Sequence, residues 1–184
     1  ASLIEPLLPL GGRVVVRPHP CFLLPIYPGG RAIVAAIADR FRGHPDVEVE
    51  GTIRTEDSFH EADLMISDWS GAAFEFAFGT ERPVLSIDTP PKIGNPAWES
   101  YGVAPFDAET RPRIGRVVPA AEVARIGVHV RALLEEAEGL RPALRRVREE
   151  SVFHVGGAAR VGAAILAGRL GAGAAGVVDS PAPP

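Results

Sequence analysis

The sequence predicts an α/β fold, a single Rossmann-like three-layer sandwich with a mainly parallel sheet of about five strands. Short β-branched and apolar runs alternate along the chain with segments of helical periodicity. Residues 63–87 follow the order strand, tight polar turn, helix, strand, which is half of a doubly wound sheet. The 184 residues are 46% hydrophobic and 23% charged, an ordinary composition for one globular domain.

The first part of the chain supplies two strands and two helices. Residues 13–17 (RVVVR) lie between a glycine and a proline, which predicts a buried strand. Within 31–42 apolar residues recur every four positions and a glycine follows, which predicts a helix ending there. Residues 47–50 alternate apolar and charged and predict a short strand. A threonine cap and early acidic residues predict a short helix over 55–61.

The central segment repeats this alternation. Residues 63–67 predict a buried strand, and after a polar turn residues 72–78 predict a helix that a glycine ends. A proline then opens the strand 84–87. Residues 88–113 contain five prolines and no helical or strand period. Structureless connections of that length are usually functional or mobile.

The remainder is mostly helical. Residues 116–118 predict a last short strand, and a proline then begins a helix that reaches residue 138. A second proline restarts the chain at 142 into a basic helix ending near 150. An apolar helix follows over about 157–170. The expected organisation is a lead-in, a Rossmann-like domain and a flexible low-complexity tail, over 1–12, 13–170 and 171–184.

Charge and composition narrow the expected partners. The net charge of −4 gives no reason to expect nucleic acid as a partner. The single cysteine, Cys21, cannot form an internal disulfide, which favours a cytoplasmic setting. No apolar run approaches the ~20 residues of a membrane span, and no metal-ligand spacing is present. Because the chain starts without Met, we expect a fragment of a longer protein.

One candidate site is the turn that follows the strand 63–67. It carries Ser67, Asp68, Ser70 and Gly71 on the first free amides of a helix, where the dipole favours an anion such as phosphate. Ser70 can cap the helix, and Gly71 has no side chain to keep a phosphate away from the amides. The alternative is a plain capped helix with Asp68 as a turn former.

A second candidate is the sequence Arg17-Pro18-His19-Pro20, at the carboxyl end of the first strand. We therefore expect it at the same sheet edge as the turn. Arg17 could grip phosphate oxygens, and His19 could donate a hydrogen bond or a proton. The alternative is a surface loop whose histidine contacts water.

Four more residues are candidates for contacts with a nucleotide or an acceptor. Asp88, Trp98 and Tyr101 lie in the long loop, whose aromatic and polar mixture suits closing over a ligand. Glu75 could reach sugar hydroxyls from its helix. The alternatives are a surface loop that packs Trp98 on the protein and a solvent-facing position for Glu75.

These motifs in this order resemble a known family. The chain is similar to the C-terminal half of the bacterial CDP-glycerol glycerophosphotransferases. The similarity is carried by RPHP, then by ADLMISDWSGAAFEFAFGTERPVLSID, and then by a glycine-containing start to the final helix. These are the teichoic-acid polymerases and primases of the cell envelope. The resemblance covers roughly residues 13–170. Trp69 and Gly71 stand where the family usually has Tyr and a second Ser, so one hydroxyl facing phosphate is missing.

The resemblance implies a GT-B architecture of two Rossmann-like lobes. This chain would hold the nucleotide donor, such as CDP-glycerol, and a missing N-terminal lobe would bring the acceptor hydroxyl that attacks the β-phosphorus, releasing CMP. No metal or other cofactor is implied, and the isolated chain would be inactive. The full-length enzyme would be cytoplasmic, with room for peripheral association at the inner face of the membrane. The implied residues are catalytic His19 and phosphate-binding Arg17, Ser67, Asp68, Ser70 and Gly71.

Two alternatives stay open at this point. One is a GT-B glycosyltransferase or nucleotide-sugar epimerase domain that uses a UDP- or GDP-sugar. The other is a non-catalytic Rossmann-like interaction module.

Overall fold

The computed structural model describes residues 3–51, 57–91 and 93–169. Over these ranges the strands are β1 (Val14–Val16), β2 (Val47–Val49), β3 (Met65–Ser67), β4 (Val84–Asp88) and β5 (Gly115–Pro119). The helices are α1 (Pro20–Leu23), α2 (Gly30–Arg40), α3 (Asp57–Glu61), α4 (Gly71–Thr80), α5 (Phe106–Thr110), α6 (Ile126–Ser151) and α7 (Ala158–Arg169). Short 3-10 turns span Leu8–Leu10, Trp98–Tyr101, Arg111–Arg113 and Ala120–Arg125.

The fold is α/β, and the described strands pair in parallel but form two small sheets. β1 pairs with β2, and β3, β4 and β5 form a three-stranded sheet in that order. The prediction of one five-stranded Rossmann sheet is therefore wrong in this respect, although the five strands lie where the sequence places them. β1 and β3 have three residues each and, within the described ranges, each pairs on one side alone. Such short strands offer few amides for a second ladder.

One hydrophobic core serves both sheets. Its buried cluster consists of residues from β4, β5, α6 and the N-terminal segment: Leu7, Leu85, Val118, Ile126, Val130 and Leu133. Val14 of β1 and Ile66 of β3 pack against this same cluster. Because Ile66 pairs with Leu85 and side chains alternate along strands, the neighbouring pair Ser67 and Ser86 lies on the opposite face. Helix α4 contacts β3 and β4, and the polar end of β3 leads through a short turn to its N-terminus.

The N-terminal segment is part of this core. Residues 1–12 were expected to form a lead-in, yet Ile4 and Leu7 are buried. A Cβ added to Gly127 of α6 would lie 2.5 Å from the Pro6 carbonyl oxygen, so the segment lies directly against that helix. The prolines and glycines of the segment are typical of a linker, and its apolar contacts depend on the tertiary structure.

The helix around Pro142 also differs from the prediction. A break between residues 138 and 142 was expected, but α6 runs unbroken through Pro142. An interior proline costs about 3 kcal/mol, and the buried Leu133 and Leu144 on either side offset this cost. The predicted start at Pro119 is replaced by the 3-10 turn that precedes α6.

The long connection after β4 is more ordered than its sequence suggests. It contains α5 and two of the 3-10 turns, and it buries Thr110 and Arg111 before β5 begins. β5 starts at Gly115, which pairs with Val84. A Cβ at Gly115 would lie 2.0 Å from the Val84 carbonyl oxygen, so no other residue fits without moving a strand.

The chain divides into two compact units, one through Arg145 and one from Arg146 onwards. The second unit contains the end of α6 and helix α7, which has no buried residue among those described. Large apolar side chains such as Phe153 and Leu166 are exposed there. The tail predicted for 171–184 lies outside the described residues. Among the described helices none is both long enough and apolar enough to cross a membrane.

Candidate functional site

The turn between β3 and α4 presents an accessible helix N-terminus. Ser70 is the N-cap of α4, with an extended backbone (φ −138°, ψ 136°), and its carbonyl accepts a hydrogen bond from the Ala73 amide at 3.2 Å. Within the described residues the Ser70 hydroxyl makes no capping bond, contrary to the expected use of that hydroxyl. A Cβ on Gly71 would meet no described atom within 4 Å. The first amides of α4 can therefore be approached closely by a ligand.

The electrostatics of this turn favour a negatively charged group. Helix α4 has ten residues, so its aligned peptide dipoles leave partial positive charge at the Gly71 end. A partner anion at such an end is worth roughly 0.3–1 kcal/mol at an exposed position. Ser67 is half-buried at the end of β3, and Asp68 is exposed in the turn. The turn can thus offer amides and hydroxyls to an anion, with one carboxylate nearby.

A buried arginine that the sequence analysis missed lies behind the turn. Arg111 is 3% exposed, and its guanidinium carbon lies 3.8 Å from the centroid of the Trp69 ring. Its Nη2 donates to the Ile87 carbonyl at 2.9 Å, and its Nη1 donates to Oδ1 of Asp88 at 3.3 Å. The Trp69 indole N–H donates to the Thr89 carbonyl at 2.7 Å. The turn after β3 is thereby fastened to the carboxyl end of β4.

Little in the sequence distinguishes Arg111 from an ordinary surface arginine. It stands in the triplet Arg-Pro-Arg inside a proline-rich loop, and Arg113 two positions later is exposed. One signal was available: Asp88 ends a buried strand, and Trp69 is the second residue of the connection after the neighbouring strand. A carboxylate and an indole at one sheet edge are suitable partners for a guanidinium.

Arg17 is engaged with protein groups. Its Nη1 lies 3.1 Å from Oε2 of Glu50 and donates to the Ser58 hydroxyl at 3.0 Å. Its guanidinium also lies over the Phe59 ring, 4.9 Å from the centroid. The Arg17 and Glu50 side chains are 19% and 16% exposed, so the pair is mostly shielded from water. Much of the charge that the motif predicts for a phosphate is therefore balanced by Glu50.

Aromatic contacts link the Arg17 loop to α4. Phe59 meets Phe76 of α4 edge to face, with ring centroids 5.8 Å apart. Phe76 lies five residues beyond Gly71, which is about 7.5 Å along a helix axis. Arg17 is thus connected to the second turn of α4, while the free backbone amides that could bind a phosphate lie at its first turn.

His19 is exposed and caps the short helix α1. Its Nδ1 accepts a hydrogen bond from the Cys21 amide at 3.2 Å. A neutral imidazole whose Nδ1 accepts carries its proton on Nε2. His19 therefore presents an N–H donor to its surroundings, which suits contact with a phosphate oxygen.

The remaining candidates divide into two groups. Glu75 is exposed one turn beyond Gly71 on the same face of α4, and the Asp88 side chain is 55% exposed beside Arg111. Both flank the turn. Trp98 is half-buried and Tyr101 is 69% exposed, and in the described part of the chain neither makes a ring contact or side-chain hydrogen bond with the turn. In that same part, no three His, Cys, Asp or Glu residues are arranged to hold a metal ion.

Comparisons with known proteins add no family assignment. No protein-family model matches the chain, and neither the curated proteins nor the solved structures show a significant similarity to it.

Proposed function

We propose that this chain is the donor-binding lobe of a CDP-glycerol glycerophosphotransferase-like transferase of the GT-B type. The N-terminus of α4 supports this proposal most directly. At this N-terminus the first-turn amides at Gly71 are open, and among the described residues the Ser70 hydroxyl makes no capping hydrogen bond. Both groups lie just after the carboxyl end of a parallel strand. Nucleotide phosphates bind at such positions in α/β proteins.

The donor's diphosphate would lie across two loops. One phosphate accepts from the amides at the start of α4 and from Ser70, where the helix dipole stabilises its charge. The Nε2–H of His19 donates to the other phosphate, since Nδ1 is already occupied by the Cys21 amide. Arg17, balanced by Glu50, has the smaller role of shaping the loop that carries His19.

The transfer itself requires groups from a second lobe. An acceptor hydroxyl attacks the β-phosphorus of CDP-glycerol, the bond from that phosphorus to the bridging oxygen breaks, and CMP departs with the bridging oxygen. The hydroxyl proton passes to a base on the second lobe. Positioning and electrostatic stabilisation would supply most of the acceleration. This chain alone binds donor weakly and transfers nothing, and we place the full-length enzyme at the cytoplasmic face of the membrane.

The Arg17–Glu50 pair favours one competing function, a non-catalytic interaction module. An arginine satisfied by a carboxylate, a hydroxyl and an aromatic ring has a complete structural role. In an interaction module, replacing His19 by Ala would leave the activity of the full-length protein intact. In a donor-binding lobe, His19→Ala would reduce that activity, because one phosphate contact is lost.

Calorimetric titration of the chain tests the proposal. We expect CDP-glycerol and CDP to bind with roughly millimolar affinity, about −4 kcal/mol, because a single lobe provides part of the contacts. Cytidine, which lacks the phosphates, should not bind measurably. If UDP-glucose binds more tightly than CDP-glycerol, the result favours an enzyme that uses a sugar nucleotide as its donor. No binding of any nucleotide by well-folded protein would contradict the proposal.

A further inference from the structure

Arg111 holds together three segments that are far apart in the sequence. It belongs to the 3-10 turn before β5, its Nη groups bind the end of β4, and its guanidinium stacks on Trp69 in the turn after β3. Ser70 and Gly71 follow Trp69 directly. Any movement of the indole ring is therefore transmitted to the first amides of α4.

The chemistry of these contacts requires an arginine. The planar guanidinium donates in two directions, to the Ile87 carbonyl and to Asp88, while its face covers the indole. Lysine has one ammonium group and cannot stack on the indole while it donates to both acceptors. The buried Nε of Arg111 has no hydrogen-bond partner among the described residues. A residue selected for packing alone would more easily be apolar at this position.

We infer that Arg111 is a positioning residue of the phosphate site. It is too buried to touch a ligand and acts through Trp69, holding the turn after β3 at a fixed distance from the end of β4. This role presupposes the proposed nucleotide site. A turn that is already ordered binds an anion without a further loss of conformational entropy. A mobile turn loses that entropy on binding, which lowers its affinity.

The two tryptophans of the chain allow a direct test. In a Trp98→Phe background Trp69 is the single tryptophan, and its emission reports on the turn during titration with CDP. With Arg111 intact we expect a saturable change in emission. Arg111→Lys in this background should shift the emission of the free protein to the red, because the indole loses its stacked cover. The affinity for CDP should fall about tenfold to a hundredfold, the range found when supporting contacts of a site are removed.

Arg116→Lys provides the matched control. Arg116 pairs with Glu136 of α6 at 3.0 Å, and its register partner is Leu85, on the sheet face opposite Ser86 and Asp88. This change removes a guanidinium–carboxylate contact that lies away from the turn and should alter neither the Trp69 emission nor the affinity for CDP. Melting curves confirm that each variant is folded at the temperature of titration.

Each outcome decides a different point. If the parent binds CDP and Arg111→Lys matches it in affinity and emission, the positioning role is wrong while the nucleotide site stands. If the parent binds no CDP, the proposed function and the positioning role both fail. Should Arg111→Lys not fold, Trp69→Phe tests the same linkage by calorimetry. It removes the bond to the Thr89 carbonyl and should weaken CDP binding about twofold to tenfold, and an unchanged affinity would overturn the inference.

Discussion

Replacing Gly71 by Ala should stabilise the protein and at the same time weaken ligand binding. The position is helical, exposed and open, since an added Cβ meets no described atom within 4 Å. Alanine restricts the unfolded chain more than glycine does, which raises the free energy of unfolding by about 0.4–1 kcal/mol. For a chain of this length that corresponds to a rise in Tm of about 1–4 °C.

The same methyl group occupies the space in which we place a phosphate. Overfilling a close contact costs about 1–3 kcal/mol, so the affinity for CDP should fall about fivefold to a hundredfold. The change thus separates stability from binding, which most substitutions in a site do not do.

Gly79→Ala is the matched control for this experiment. Gly79 belongs to the same helix, near its C-terminal end, and an added Cβ there also meets no described atom. It should raise Tm by a similar amount and leave CDP binding unchanged. Thermal melts and calorimetric titrations of the parent and both variants complete the assay. If Gly71→Ala binds CDP as tightly as Gly79→Ala does, no phosphate approaches the start of α4 and the placement of the ligand is wrong.

Three further predictions concern stability and are checked by chemical denaturation. Asp88→Ala leaves the buried guanidinium of Arg111 without its carboxylate and should lower the free energy of unfolding by about 1–3 kcal/mol. The loss is smaller than for a fully buried pair because Asp88 is half-exposed. It should still exceed the loss in Arg111→Met, which leaves no buried charge behind, and a loss no larger than that of Arg111→Met would contradict this expectation. Gly115→Ala drives a Cβ to 2.0 Å from the Val84 carbonyl oxygen and should prevent stable pairing of β4 with β5; a variant with the parental free energy of unfolding would contradict this close approach of the strands. Phe76→Ala removes a fully buried ring and its contact with Phe59 and should cost about 3–5 kcal/mol, whereas a loss below 1 kcal/mol would mean that α4 does not pack as described.

Local patterns in the sequence predicted the order of elements well. A β-branched run located β1, an apolar run after a proline located β4, and apolar periodicity located α2, because these signals arise from burial of one face or of a whole strand. The pairing of strands depends on register and on how many amides each strand contributes. Nothing local in the three-residue runs of β1 and β3 indicates that the sheet divides between them.

Distant contacts explain the rest of what the sequence did not reveal. The burial of Leu7 depends on α6, more than a hundred residues away, and the proline-rich composition around it suggested a linker instead. Arg111 is buried because Trp69 and Asp88 meet at one sheet edge. For Arg17 the motif indicated a phosphate ligand, yet Glu50 supplies the opposite charge from the end of another strand. A single motif cannot show that its charge is already balanced.

Amide NMR during a titration with CDP tests the central claim, that the loops after β1 and β3 grip one diphosphate together. The Gly71 amide opens α4, and the Cys21 amide is hydrogen-bonded to Nδ1 of His19, so the two signals report on the two loops. The claim predicts that both signals shift along one binding curve while that of Gly139 on α6 stays in place. A shift of Gly71 without Cys21, or of neither, would contradict it.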